Sequence, residues 1–381
     1  MSRIKNLHSL FRSTLTMPYN DRIPEITPVL NKEKKASHGI FNRAIPIHRT
    51  RVERAVPLHK PAENVQVWEI LVPIAPNINI PSQIYIPKNK ISQKCHTVFY
   101  IPGTAFVASE SDFTHMLCSH LCEQTQQQII VIHPRLAPEN KFPIGQDDCF
   151  LAFKALIQTK MANIDIKQIT LAGYCSGGNF AIQMALLARE EGLLIKHLLL
   201  ISPFVDLSRS HNDYKIIENQ DETISEEFAA WCAKMYVPSN ISSQDPAISP
   251  LLNLAGHFKK IATSIDIIVS NRDRFFGDSM QLYYLFKKAD LIVDLELIEG
   301  DHSYAWHDKA LIEAMAKTIL TVASFSNKKL KPSFPECLDT SLSPHQAPHS
   351  AFFEYGASLR NESTRILEIS PSNPRKIIAK L

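Results

Sequence analysis

The sequence predicts an α/β fold in which a mostly parallel β-sheet is covered by helices on both faces. Two observations carry this prediction. Short runs rich in β-branched residues alternate with helix-length stretches between about residues 65 and 324, which is the pattern of successive βαβ units. Hydrophobic residues make up 45% of the 381 residues and charged residues 21%, so the chain can bury a large core, and globally disordered classes are excluded.

Eight segments are predicted as strands because they are short, rich in Val, Ile and aromatic residues, and bounded by turn-forming or charged residues. They lie at 65–73, 82–86, 96–101, 128–133, 168–172, 198–201, 266–270 and 295–298. Six helices are predicted from apolar residues spaced three and four apart. They lie at about 110–125, 146–160, 176–190, 225–236, 278–289 and 308–324.

The two ends of the chain differ from this alternating body. Residues 1–60 are basic and interrupted by five prolines, whereas residues 326–381 are rich in Ser, Pro, Asn and His, with one further strand predicted at 364–369. Residues 1–65 carry twelve Lys and Arg against five Asp and Glu. Such an excess is typical of a solvated surface, and peripheral contact with an anionic membrane or a protein partner is the alternative left open. The basic residues are scattered and accompany no binding motif, so no nucleic-acid partner is expected.

The seven cysteines include no CxxC pair, a usage typical of reduced thiols and of the cytoplasm. No apolar run approaches the ~18 residues of a membrane span and no signal peptide is recognised, so a soluble cytoplasmic protein is expected, with secretion through a C-terminal signal left open. His115, Cys118 and Cys122 can share one helix face. Zinc would need a fourth ligand, so we expect buried cysteines on a packed helix and predict no metal or cofactor.

A nucleophile elbow is predicted in the run G-Y-C-S-G-G over residues 173–178, which follows a β-rich run and precedes a helical one. An elbow needs small residues two before and two after its strained nucleophile, since a side chain there would clash with the neighbouring strand or helix. Gly173 and Gly177 satisfy this rule around Cys175 but not around Ser176. A phosphate-binding loop is the alternative, but neither G-x-G-x-x-G nor G-x-x-x-x-G-K-[ST] is present.

Three further blocks flank the elbow, and together the four resemble the hormone-sensitive-lipase-like carboxylesterases. These blocks read R-L-A-P-E-N-K-F-P over 135–143, L-I-S-P-F-V-D-L over 200–207 and D-P-A-I-S-P-L over 245–251. They stand in the family's order within about residues 96–325. The resemblance implies an α/β-hydrolase fold with a cap, built from an N-terminal segment at 1–60 and an insert at about 208–245. The hydrolase core then spans 61–325, and 326–381 is a C-terminal extension.

The resemblance also implies a catalytic triad in the chain order nucleophile, acid, base. Asp273 follows the strand at 266–270, where the family places its acid, and His302 follows the strand at 295–298, where the family places its histidine. In this arrangement His302 exchanges a proton with the Cys175 sulfur and Asp273 orients the ring. Asp278 and Asp301 are alternatives to Asp273 as the acid, and His307 is the alternative to His302 as the base.

The oxyanion loop departs from the family, whose H-G-G-G-F motif appears here as P-G-T-A-F over 102–106. Backbone N–H groups form such a hole, so Gly103, Thr104 and Ser176 are the expected donors. Cys175 replaces the usual serine, as in dienelactone hydrolase, and Tyr174 replaces the usual aspartate. The implied function is hydrolysis of a small acyl ester or thioester through an acyl-enzyme. The alternative is a weak or inactive hydrolase fold that binds a small ligand or a partner, as the family's plant gibberellin receptors do.

Overall fold

A nine-stranded sheet forms the centre of the described part of the protein. The computed structural model describes residues 62–108, 111–158, 163–210, 221, 223–302, 309–324 and 366–367. Its strands are β1 Val65–Ala75, β2 Ile78–Pro87, β3 Cys95–Ile101, β4 Gln128–Ile132, β5 Ile164–Tyr174, β6 His197–Ile201, β7 Ser264–Ser270, β8 Val293–Ile298 and β9 Ile366–Leu367. The predicted fold class is confirmed.

Six α-helices connect the strands within the described ranges. They are α1 Ser111–Thr125, α2 Ile144–Gln158, α3 Ser176–Glu190, α4 Glu226–Tyr236, α5 Phe276–Lys288 and α6 Lys309–Ser324. Each coincides with a predicted helix to within a few residues. The α4 helix lies in the predicted cap insert and begins after Ser225, whose side chain accepts the N–H of Phe228 as a helix cap.

The strand order in the sheet is β1-β2-β4-β3-β5-β6-β7-β8-β9. The pairs β1–β2 and β2–β4 are antiparallel, and every pair from β4 onward is parallel. Because the chain moves outward in one direction from β3 to β4 and in the other from β5, the order reverses beside β3 and β5. In open α/β sheets the carboxyl ends of strands at such a reversal are where ligands bind.

The central strands are buried on both faces, which explains their continuous apolar sequences. Every residue of β3, β4 and β6 is buried. A polar line crosses this core near the amino ends of the strands, where His96 Nε2 lies 2.7 Å from Thr170 Oγ1 and His197 Nε2 lies 2.8 Å from Asp266 Oδ2. Polar side chains buried in the sheet are thus paired with one another.

The flanks are described only in part. Residues 1–60, with the predicted N-terminal cap segment, lie outside the described residues, as does 326–381 apart from β9. That strand lies within the predicted segment 364–369 and pairs in parallel with Leu297 and Ile298 of β8. No described helix has the length and apolar character needed to cross a membrane.

Candidate active site

Cys175 occupies a strained turn between β5 and α3. Its φ is 54° and its ψ is −120°, a region that residues with a side chain rarely adopt and that costs about 1–3 kcal/mol. Backbone hydrogen bonds hold the turn: the Cys175 N–H donates to the Ile201 carbonyl at 2.9 Å, and the Cys175 carbonyl accepts the N–H groups of Gly178 and Phe204, both at 3.0 Å. The sulfur is thereby held at the carboxyl end of the sheet, and the residue is only 4% exposed.

The glycines on either side of the elbow allow a close backbone approach. A Cβ at Gly173 would lie 2.1 Å from the Gly177 carbonyl oxygen, and one at Gly177 would lie 2.0 Å from the Ile101 carbonyl oxygen. Both distances are far below a van der Waals contact, and both neighbours are backbone atoms that cannot yield. This is the packing that the spacing of glycines around Cys175 predicts.

His302 and Asp273 meet beside the elbow. His302 Nδ1 lies 2.9 Å from Asp273 Oδ2, while Asp273 Oδ1 accepts the N–H of Phe275 at 2.7 Å. Both residues are buried, with exposures of 3% and 0%. They come from neighbouring strands, since Asp273 follows β7 and His302 follows β8, so the parallel sheet brings their loops to the same edge.

The charge on His302 is favoured by its two acidic neighbours. Burial by itself lowers the pKa of His302, but the charges of Asp273 and Cys175, together with hydrogen bonds to both side chains, outweigh burial and raise this pKa well above its ordinary value. Because Nδ1 is bonded to Asp273, the other ring nitrogen serves Cys175. The structure thus brings together the three side chains of the predicted triad, with the His302 ring between Asp273 and Cys175.

Two aromatic rings hold the imidazole in place. The Tyr174 ring stacks on His302 with centroids 5.0 Å apart and planes at 19°, and the Tyr174 hydroxyl donates to the His302 carbonyl at 2.7 Å. Phe275 meets the imidazole edge-on at 5.1 Å and 83°. A Cβ at Gly103 would lie 2.4 Å from Tyr174 Cδ1, so the tyrosine that replaces the family's aspartate packs directly on the oxyanion loop.

The Thr104 N–H of the predicted oxyanion loop is bonded to a side chain. It donates to the Ser176 hydroxyl at 3.0 Å, the two hydroxyls lie 3.0 Å apart, and Thr104 Oγ1 accepts the N–H of Phe106 at 3.2 Å. Ala105 and Phe106 both have positive φ, at 43° and 65°, so this loop follows a strained course. The serine directly after Cys175 thus brings a hydroxyl within reach of an N–H that the sequence predicts as an oxyanion donor.

A second buried carboxylate, Asp221, lies beside the triad and was not expected from the sequence. Oxygen and nitrogen atoms of Asp221, Asp273 and His302 lie within 4.8 Å of one another, the one arrangement among the described residues that has the donor set and spacing of a metal site. The hydrogen bond between His302 and Asp273 and the backbone N–H groups bonded to Asp221 account for these atoms without an ion.

The two further acids left open by the sequence bind groups other than the His302 ring. The Asp278 carboxylate accepts the N–H groups of Val205 and Asp206, both at 3.2 Å, so it braces the loop after β6. Asp301 accepts the Thr223 hydroxyl at 3.3 Å. His307 lies outside the described residues. His302 Nδ1 therefore has Asp273 as its carboxylate partner.

The cysteines of α1 are packing residues, as predicted. Cys118 and Cys122 are fully buried, and burial raises the pKa of both thiols. His115 Nδ1 lies 2.9 Å from the Tyr85 hydroxyl, a contact with the sheet.

Helix α4 of the predicted cap insert packs on the predicted oxyanion loop. Tyr236 of α4 stacks on Phe106 of the oxyanion loop, with ring centroids 4.2 Å apart and planes at 14°, and Phe142 meets Tyr236 edge-on at 6.1 Å. A small cavity of about 10 Å³ borders His302 on the side of β6, β7 and β8, with room for one water.

Comparison with known proteins identifies the family. Residues 98–306 match the model of a family described by its α/β-hydrolase fold. The chain belongs to this α/β-hydrolase family. The match spans the elbow, the acid and the histidine, and it confirms the resemblance to hormone-sensitive-lipase-like carboxylesterases drawn from the four sequence blocks.

Curated relatives and solved structures agree with this assignment. An esterase of Acinetobacter venetianus is 27% identical over 204 residues, which is 53% of this chain and 65% of that protein, so the chain matches less than two thirds of that relative. The 3-O-acetylpapaveroxine carboxylesterase CXE2 of Papaver somniferum is 25% identical over 301 residues, 68% of this chain and 94% of that protein. The solved Pyrobaculum calidifontis esterase superposes with a TM-score of 0.65 at 21% identity, covering 73% of this chain and 93% of that one, a likeness of fold.

Proposed function

We propose that this α/β hydrolase cleaves carboxylic esters or thioesters with Cys175 as its nucleophile, His302 as its acid and base, and Asp273 as the residue that orients His302. The observation that carries the proposal is the convergence of these three side chains at a strained elbow, with His302 bonded to Asp273 at 2.9 Å and to Cys175. The names of the relatives support the reaction class, since two of them are an esterase and a carboxylesterase.

In the acylation step the thiolate of Cys175 bonds to the carbonyl carbon of the substrate, and the carbonyl π electrons move to oxygen. The resulting oxyanion needs N–H donors about 3 Å away. The Gly103 and Ser176 N–H groups flank the nucleophile, and Thr104 joins them once its N–H leaves the Ser176 hydroxyl. Collapse breaks the bond to the leaving group, which takes its proton from His302, and a thioester remains on Cys175.

In the deacylation step His302, now neutral, takes a proton from water as the water oxygen bonds to the thioester carbon. The second oxyanion collapses, the carbon–sulfur bond breaks, and the Cys175 thiolate and the protonated His302 are restored with release of a carboxylic acid. Every proton in this cycle passes through one ring nitrogen of His302, since the other is held by Asp273.

The proposal is tested with a panel of p-nitrophenyl esters and acyl thioesters, assayed on the wild type, Cys175→Ala and Cys232→Ala. Cys232 is the matched control because it is also fully buried, and because the Cys175 charge raises its pKa in addition to burial. We expect Cys175→Ala to lose at least about a thousandfold in kcat/KM, and Cys232→Ala to stay within about threefold. Hydrolysis that survives Cys175→Ala would remove Cys175 from this role, and a wild type that binds esters without cleaving them would establish the ligand-binding alternative.

A further inference from the structure

Asp221 is a buried residue of the cap insert whose carboxylate is fully engaged. Its Oδ1 accepts the N–H groups of Thr223 and Ile224, both at 2.9 Å, and its Oδ2 accepts the N–H of Arg274 at 2.6 Å. The residue is 7% exposed. Burial raises the pKa of Asp221, whereas the N–H groups of Ile224 and Arg274 lower it by stabilising the ionised carboxylate. These donors allow a buried negative charge at this position.

The same segment of the insert binds both loops that carry the partners of Cys175. Arg274, which directly follows Asp273, is completely buried, and its Nε donates to the Ile224 carbonyl at 2.9 Å. The Thr223 hydroxyl donates to Asp301, the residue before His302, at 3.3 Å. Asp221 is therefore held against the acid loop and the histidine loop when the insert lies in the position seen here.

The Asp221 carboxylate lies close enough to Asp273 and His302 for their charges to interact. The Asp221 carboxylate lies within 4.8 Å of both an Asp273 oxygen and a His302 ring nitrogen. Burial raises the pKa of Asp221, the charge of Asp273 raises it further, and the charge of His302 lowers it. A neutral imidazole would leave two buried carboxylates repelling each other, whereas an imidazolium attracts both.

We propose that Asp221 is a positioning residue that stabilises the protonated form of His302 from the side of the insert, and so favours the acid needed for leaving-group departure. This inference rests on the proposed function. Asp221 does not touch the reacting atoms in this role and acts through His302.

Other charged or titratable groups also lie near His302, and a test of Asp221 must separate its effect from theirs. Asp273 faces His302 from the loop after β7, and the next residue, Arg274, donates its Nε–H to the Ile224 carbonyl. Asp301 precedes His302 on its own loop, Cys175 and Tyr174 face it from the elbow, and Cys232 lies on α4 near Cys175. Asp221 adds a carboxylate from the insert.

The experiment compares pH profiles of kcat/KM for an alkyl ester in the wild type and Asp221→Asn. An alkoxide leaving group must take a proton from His302, so the alkaline limb reports loss of that proton. We expect Asp221→Asn to move the alkaline limb about one pH unit lower. At pH values above this limb kcat/KM should then be roughly tenfold lower than in the wild type, while the acid limb does not move. A p-nitrophenyl ester, whose leaving group needs no proton, should show a much smaller shift.

Asp206→Asn is the matched control. Asp206 is a fully buried carboxylate near the start of the insert that accepts the N–H groups of Ser208 and Ser210, both at 2.9 Å. Asp206→Asn therefore removes a buried carboxylate charge from the same region while keeping Asp221, and it should leave the alkaline limb in place. If Asp221→Asn does not unfold cooperatively on heating, Asp221→Ser is the second variant, because serine is a shorter neutral hydrogen-bond acceptor. A folded neutral variant at position 221 with an unshifted alkaline limb would overturn the inference while leaving the proposed function intact. If the proposed function is wrong, the Cys175→Ala variant should instead keep the activity of the wild type.

Discussion

Ser176→Ala should make the enzyme faster and less stable at the same time. In the structure the Ser176 hydroxyl accepts the Thr104 N–H at 3.0 Å and lies 3.0 Å from the Thr104 hydroxyl. That N–H must break a buried hydrogen bond before it can meet an oxyanion. A buried hydrogen bond has a net worth of about 0.5–1.5 kcal/mol, and removing this cost from the barrier corresponds to an increase of about two- to tenfold in kcat.

The cost of Ser176→Ala falls on folding, because Thr104 loses two interactions. We expect a decrease of about 1–2 kcal/mol in the free energy of unfolding, measured by urea denaturation, alongside the rise in kcat for p-nitrophenyl butyrate. Thr104→Val is the control: it removes the hydroxyl that accepts the Phe106 N–H but leaves the bond from the Thr104 N–H to Ser176, so it should lower stability without raising kcat. A fall in kcat for Ser176→Ala would refute the reasoning and indicate that the Ser176 hydroxyl itself donates to the oxyanion.

Three further predictions follow from the packing and charge of the site. Tyr174→Phe removes the hydroxyl that donates to the His302 carbonyl but keeps the stacked ring, so kcat should fall about three- to tenfold with KM nearly unchanged, as steady-state kinetics would show; an unchanged kcat would rule out this anchoring role. Iodoacetamide at neutral pH should label Cys175 first, as shown by peptide mapping, because burial raises the pKa of five other thiols. These thiols are Cys95, Cys118, Cys122, Cys149 and Cys232. The His302→Ala substitution should slow the labelling of Cys175. Uniform labelling of the cysteines would contradict an activated Cys175. The pKa of His302 is raised on folding. The wild type should therefore exceed His302→Gln in free energy of unfolding by an amount that is complete below about pH 6.5 and is lost as pH rises through the folded-state pKa. Urea titrations in which this difference grows with pH would contradict the prediction.

The elbow could be predicted from sequence because its signal is local. Gly173 and Gly177 are required by contacts within one turn and with the adjacent strand β3, so their spacing around Cys175 carries the geometry. Asp273 and His302 could be placed because the family resemblance puts an acid and a histidine after these two predicted strands, and neighbouring parallel strands present their carboxyl ends at one edge of the sheet. Strand and helix positions followed from periodicity for the same reason.

The features that the sequence did not reveal depend on contacts between distant segments. Asp221 meets the Arg274 N–H across 53 residues of chain, and nothing near Asp221 in sequence marks it as facing His302. The Ser176 hydroxyl reaches the Thr104 N–H across 72 residues, so a substitution that looks neutral beside the nucleophile changes the oxyanion loop. Tyr174 was recognised only as a departure from the family, since its stacking on His302 requires the fold.

The central claim, that Cys175 carries the acyl group, is tested most directly by trapping the intermediate. The wild type and His302→Ala would be mixed with p-nitrophenyl acetate, quenched in acid, digested and examined by mass spectrometry. The structure predicts one acetyl group on the peptide that contains Cys175, bound as a thioester that neutral hydroxylamine removes, and much less of it in His302→Ala. Acetyl found on Ser176, or ester turnover with no acetyl on Cys175 under any quench, would contradict the claim.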